Sequence, residues 1–164
     1  MPHRGEKRAW PAGAPVLLLV GVWLAARRFH PDIPLGPHDV VVEGTPADVL
    51  QRVERKHRSG HVVVAEGNAL VARFSGGAGP FEFQTVELIR FAPSEVTYEH
   101  LGGTFLACRE RFVLHPEGEG ATRIEHSGVF RLRGGLAGWA LGRLVVKRLF
   151  EDHVTRELQA GLMS

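Results

Sequence analysis

Hydrophobic and polar positions divide the chain into stretches of different period. From Gly134 to Met163, Val146, Phe150, Val154, Leu158 and Leu162 are each four apart, which is helical spacing. Glu151, Asp152, Arg156, Glu157 and Gln159 fall on its other faces, so its second half is amphipathic. The first half, with Leu136, Trp139, Leu141, Leu144, Val145 and Leu149, is apolar nearly all round and needs a large apolar surface to cover. Upstream the pattern is that of strands: His61–Glu66, Ala69–Ser75, Phe81–Phe91, Glu95–Leu101, Thr104–His115 and Thr122–Leu132. They are separated by Gly67-Asn68, Gly76–Pro80, Ala92–Ser94, Gly102-Gly103 and Pro116–Ala121. Connections this short make neighbours antiparallel hairpins. Asp39–Glu43 adds a seventh strand. After it Thr45 is a suitable N-cap, Pro46 suits a first helical position and Asp48 favours a helix start, predicting a helix to about His57. Ala47, Val49, Leu50 and Val53 are its apolar face, and Ser59-Gly60 ends it.

Alternation along the strands assigns their faces. Leu70, Ala72 and Phe74 share one; Phe81, Phe83, Thr85, Glu87, Ile89 and Phe91 share the next. Val96, Tyr98 and His100 follow, then Leu106, Cys108, Glu110, Phe112 and Leu114, then Ile124, His126, Gly128, Phe130 and Leu132. These faces are mostly apolar, with Glu87, Tyr98, His100, Glu110 and His126 set among them. A helix closing such a sheet makes a container for something apolar.

The N-terminus has a different pattern. Residues 1–10 form a basic tail with Arg4, Lys7 and Arg8, and no charge follows until Arg27. That gap is about 27 Å of helix, just enough for a bilayer core. Residues 11–28 are therefore expected to be a single-pass membrane anchor, with a cleaved signal peptide or an interfacial or buried helix as alternatives. Ala25-Ala26, flanked by Trp23-Leu24 and Arg27-Arg28, makes a poor cleavage site. The upstream excess of positive charge slightly favours the N-terminus inside, with the domain outside the cytoplasm. Residues 29–37, with three prolines and a glycine, are expected to be a linker, and residues 38–164 the domain.

Composition adds limits. A net charge of +2, with no basic stripe interleaved with aromatics, gives no reason to expect nucleic acid. The single cysteine, Cys108, excludes an intrachain disulfide and a multi-cysteine metal site. The nine histidines form no metal-binding motif, and neither metal nor cofactor is expected. Gly76-Gly77-Ala78-Gly79 joins two strands and opens no helix, so it is no phosphate loop.

The order strand, helix, six strands, long helix, with Glu43-Gly44-Thr45-Pro46-Ala47-Asp48-Val49 at the first strand-to-helix turn, resembles the START-like superfamily of polyketide cyclases and lipid-transfer domains. The resemblance covers about residues 38–163. It implies an α+β helix-grip fold: a seven-stranded curved antiparallel sheet around the C-terminal helix, here preceded by a single hydrophobic helix. It also implies an apolar cavity and names no catalytic motif. Many members carry two short helices after the first strand; Ser59-Gly60 leaves little room for a second here.

The expected function is a membrane-anchored binding or carrier domain for a lipid or other hydrophobic small molecule, rather than an enzyme. The alternatives are a cyclase or dehydratase working on a polyketide-like substrate by acid–base chemistry, and an interaction module without a ligand. Candidate ligand-binding residues are Phe74, Phe83, Thr85, Tyr98, His100, Cys108, Glu110, Phe112, His126, Phe130, Leu141, Leu144 and Val145. Catalytic candidates are Glu110, His126 and Tyr98. If the last hairpin pairs Leu114 with Thr122, Glu110 comes opposite His126, an arrangement that can bind a hydroxyl, transfer protons or simply satisfy itself. Leu141–Phe150 is expected to line or lid the cavity, and Glu151–Leu162 to pack on the sheet.

Overall fold

The computed structural model describes residues 14–78 and 81–162, with side chains for 19–75 and 82–158. Seven antiparallel strands form one open sheet in the order β1-β7-β6-β5-β4-β3-β2. They are β1 (Ile33–Glu43), β2 (Val62–Glu66), β3 (Ala69–Ala78), β4 (Phe81–Ala92), β5 (Glu95–Gly103), β6 (Ala107–Pro116) and β7 (Ala121–Arg131). The helices are α1 (Ala14–Arg28), α2 (Pro46–Arg58), α3 (Gly135–Leu141) and α4 (Lys147–Leu162). The expected α+β layout of an antiparallel sheet with a long C-terminal helix is present.

Local chemistry starts α2 where expected. The Thr45 hydroxyl accepts from the Asp48 amide while the Asp48 carboxylate accepts from the Thr45 amide, a reciprocal capping box. Val49 on its inner face is fully buried. Hairpin connections order β2 to β7, and the first strand closes the layout by pairing with the last.

Three sequence expectations change here. First, the linker is shorter than residues 29–37, because β1 begins at Ile33. Ile33 and Leu35 point into the core, and a bulge between Leu35 and His38 accommodates Gly36-Pro37. The prolines mislead because β1 is an edge strand, where a missing amide is tolerated. Second, β6 starts at Ala107, not Thr104. In the preceding turn Phe105 is buried and Leu106 exposed, the reverse of strand alternation. Third, the long terminal helix is not α-helical throughout. A π-helical turn, Gly142–Val146, separates α3 from α4. A Cβ at Gly142 would collide with the Ile33 side chain and come within 3.2 Å of Leu132 Cδ1, so the backbone itself packs on the sheet there.

The bilayer-spanning helix expected over residues 11–28 is not supported. Residues 11–13 lie outside the described residues, and among those described no helix is long and apolar enough to cross a membrane. The described helix, Ala14–Arg28, is 15 residues long, and its C-terminal end packs on α3, where a Cβ at Gly135 would strike the Ala26 carbonyl.

The core forms two clusters. One gathers Val42, Val49, Leu70, Ala72, Ile89, Phe91, Val96, Leu114 and Ile124, under α2. The other gathers Ile33, Leu35, Phe105, Cys108 and Phe130, with Trp139, Val146 and Phe150 of the terminal run packed on it. Glu151 ties α4 to β1 by accepting from the Gly36 amide at 3.0 Å, with Lys147 at 3.1 Å from the same oxygen.

Candidate functional site

A cavity of about 480 Å³ lies between the sheet, α2 and α4. Phe74, Phe83, Tyr98, Phe105, Phe112 and Phe150 give it aromatic walls. Thr85, Glu87, Tyr98 and Glu110 bring polar groups to the sheet side, and His57 brings one from α2. A second space of about 270 Å³ shares Phe83, Phe105, Phe150 and His153 with the first and extends toward Leu132, Gly138 and Leu141. These sizes suit a small organic molecule.

Glu110 and His126 meet, but not through the expected register. Leu114 pairs with Ile124, so Glu110 faces Gly128 and His126 faces Phe112. The expected pairing was two residues out. Because side chains alternate with period two, such an error leaves every residue on its expected face. Glu110 then reaches His126 diagonally, at 2.9 Å between Oε2 and Nε2. Gly128 makes the crossing possible: a Cβ there would lie 3.2 Å from Glu110 Cγ and 2.6 Å from the Arg109 carbonyl oxygen. His126 is completely buried and stacks on Phe112 with ring centroids 4.5 Å apart. Its Nδ1 has no hydrogen-bond partner among the described residues, so the proton shared with Glu110 is assigned to Nε2.

Tyr98 stands opposite Glu110 in the β5–β6 ladder, yet its hydroxyl turns to α2. It lies 3.0 Å from His57 Nε2, and His57 Nδ1 lies 2.8 Å from the Val53 carbonyl. A carbonyl only accepts, so Nδ1 carries the ring proton and Nε2 accepts from the tyrosine. Burial holds the His57 pKa below its usual value and keeps the ring neutral at pH 7. Burial also pushes the Tyr98 phenol well up, helped by the charges of Glu110 and Glu87.

Glu87 is the polar residue that the candidate set lacked. It is 8% exposed and faces the cavity. Burial raises its pKa from 4.5 to about 7; the charge of Glu110 adds to the rise and the Thr85 hydroxyl opposes it. Thr85, 2% exposed, is close enough for that influence, but its Oγ1 makes no hydrogen bond of normal geometry. A bulge beside Glu87, with Leu101 as the extra residue of β5, locally re-aims this part of the sheet. The signal was present in the sequence, since Glu87 alternates in phase with Thr85 and Ile89. His57 was equally legible, four residues beyond Val53 and eight beyond Val49.

The other candidates scatter. Phe74, Phe83, Thr85 and Phe112 line the larger cavity, and Leu141 lines the smaller. Phe130 and Cys108 are core residues that line neither, with the Cys108 thiol 4.0 Å from Glu110 and its pKa pushed well up by burial. His100 is bonded to the Phe105 carbonyl at 3.1 Å and lines neither space. Leu144 is 76% exposed and Val145 half-buried, and neither reaches a cavity, because the π turn rotates this segment away from the phase of α4. The terminal run faces the larger cavity with Phe150, His153, Val154, Glu157 and Leu158, and the smaller one with Leu141, Val146 and Leu149.

No protein-family description matches the chain, and no curated protein matches it. Solved structures do. Protein TTHA0849 from Thermus thermophilus aligns with a TM-score of 0.66 and 20% identity, over 80% of this chain and 94% of that one. The Zhui aromatase/cyclase from Streptomyces sp. R1128 aligns with a TM-score of 0.52 and 11% identity, over 82% and 99%. The di-domain aromatase/cyclase StfQ of steffimycin biosynthesis aligns with a TM-score of 0.50 and 13% identity, over 83% of this chain and 48% of StfQ. At these identities the likeness is one of fold: the chain shares its fold with these proteins, two of which are aromatase/cyclases.

Proposed function

We propose that the protein is a binding or carrier domain for a hydrophobic small molecule held between the sheet and α4. The observation that supports this most directly is the aromatic-walled cavity of about 480 Å³, left open where Phe side chains could have filled it. Burying an apolar ligand there contributes roughly 25 cal/mol per Å² removed from water, so binding needs no elaborate polar motif. The test is native mass spectrometry of the full chain with organic extraction of what co-purifies. One bound apolar molecule per chain is expected; a spectrum of empty protein, with no saturable uptake of an uncharged apolar dye, overturns the proposal. A chain started at residue 36 is unsuitable, because it lacks the core residues Ile33 and Leu35.

One observation favours a second reading, an acid–base enzyme of cyclase or dehydratase type acting on a polyketide-like substrate. Glu87, with its pKa raised to about 7 inside the cavity, is suited to both giving and taking a proton near neutrality. Turnover of a polyketide-like ketone that Glu87→Gln abolishes without loss of binding supports this; turnover insensitive to the substitution removes it.

The proposed location is a bilayer surface. Leu19, Val20, Val22, Trp23 and Leu24 of α1 are exposed, as are Leu136, Leu141 and Leu144 of the segment it packs beside. Arg27 and Arg143 stand among them, each over a tryptophan ring of its own segment. Apolar side chains bordered by arginines suit an interfacial helix on anionic lipid. The full chain should sediment with vesicles containing phosphatidylglycerol and less with pure phosphatidylcholine; failure to sediment with either overturns this location.

A further inference from the structure

The cavity is apolar for the most part, but two carboxyls stand on its wall. Glu87 and Glu110 both face it. Glu110 has His126 Nε2 at 2.9 Å from one oxygen, and Glu87 has the Thr85 hydroxyl beside it. His57, the imidazole facing them from α2, is kept neutral by its burial, with its ring nitrogens engaged by Val53 and Tyr98. The cations that border the space, Lys56 and Arg73, are exposed side chains at its margin, and Lys56 is already paired with Glu157 at 2.8 Å. A second feature points to a missing partner: the Thr85 hydroxyl on the same wall, 98% buried by its 2% exposure, is unpartnered. A buried polar group in this state calls for a partner. What would satisfy a carboxyl pair and a hydroxyl among Phe74, Phe83, Phe105, Phe112 and Tyr98 is a group rich in N–H donors, positively charged and tolerant of aromatic faces.

We propose that the ligand is a protonated amine carried on an apolar, ring-containing body, its ammonium group lying against Glu87, Glu110 and the Thr85 hydroxyl. This rests on the cavity being a ligand site, as proposed above. The rings supply affinity through burial, and the carboxyl pair decides which head group is accepted, since an anion meets like charge in an apolar surround.

The experiment is calorimetric titration of the full chain at pH 8 with three ligands of one shape: 2-(1-naphthyl)ethylamine, 2-(1-naphthyl)ethanol and 1-naphthaleneacetate. The amine is expected to bind one per chain, about tenfold or more tighter than the alcohol, with the carboxylate weakest. Glu87→Gln should bring the amine down toward the alcohol and leave the alcohol unchanged. Glu87 is the position to vary because Glu110 also holds buried His126, whose loss of a partner threatens folding. Equal binding of all three, or tighter binding of the alcohol or carboxylate, overturns the charge selection and leaves the container standing. An amine affinity unmoved by Glu87→Gln overturns it too. No binding of any of the three overturns it as well, and together with an empty native spectrum it removes the container reading.

Discussion

Glu87 and Glu110 stand two strands apart on one cavity wall and are equally buried, at 8% and 9% exposure, but their surroundings differ. Glu110 reaches across Gly128 to an imidazole with no other hydrogen-bond partner among the described residues. Glu87 looks into the cavity beside a hydroxyl that does not bond to it. Glu110 therefore has a fixed protein partner at one carboxylate oxygen while still lining the cavity, whereas the Glu87 corner carries a cost that only a ligand or a proton removes. Burial alone does not make a carboxyl functional; what matters is whether the protein has already spent its hydrogen-bonding capacity.

The largest expected effect separates the two corners directly. Glu110→Ala strands a fully buried imidazole and should destabilise the domain by about 3–5 kcal/mol in denaturant titration. A loss below about 1 kcal/mol would mean that the pair contributes no more than an ordinary hydrogen bond. The next concerns Glu87 and has the opposite sign. Its pKa is about 7 folded against an ordinary 4.5, so the folded state holds the proton more tightly. Stability from this group is fully present below pH 4.5 and is lost as pH rises through about 7. The rise is worth roughly 3 kcal/mol at most. Glu87→Gln should thus match the parent at pH 4 and exceed it by up to that amount at pH 8. Glu110, Tyr98, His57, Lys56, His61, Arg73, His153 and Glu157 border the same cavity, so the comparison must be the difference between variant and parent. Equal gains at both pH values would show that Glu87 does not titrate between them.

Two smaller effects sharpen the contrast. Gly128→Ala puts a methyl group 2.6 Å from the Arg109 carbonyl oxygen and 3.2 Å from Glu110 Cγ. It should cost about 1–3 kcal/mol and should not be additive with Glu110→Ala, because both act on one diagonal contact. Full additivity would detach Gly128 from the pair. Tyr98→Phe removes the hydroxyl from His57 and should cost about 1 kcal/mol, while leaving the pH dependence due to Glu87 in place. A shift of that midpoint would bring Tyr98 into the Glu87 corner.

Much of this was legible along the chain. Period-two alternation put Thr85, Glu87, Tyr98, Glu110 and His126 on the inner faces, and the capping residues Thr45 and Asp48 started α2 where they should. Phe105 was harder to read because it leaves strand geometry, and alternation is informative only within a strand. Leu144 and Val145 were misplaced for a related reason: a π turn changes the angular step per residue, so a phase extrapolated through it is wrong.

The sequence by itself determined the order of elements, the antiparallel pairing and the face of nearly every strand residue, because these follow from local periodicity and short connections. Only the tertiary structure decided which carboxyl was satisfied. That depends on a register offset of two residues, which periodicity cannot detect, and on a glycine opposite Glu110 that lets one side chain cross to another. It decided as well that Ile33 to Pro37 form a strand, since an edge position forgives proline only once a neighbour such as β7 is in place.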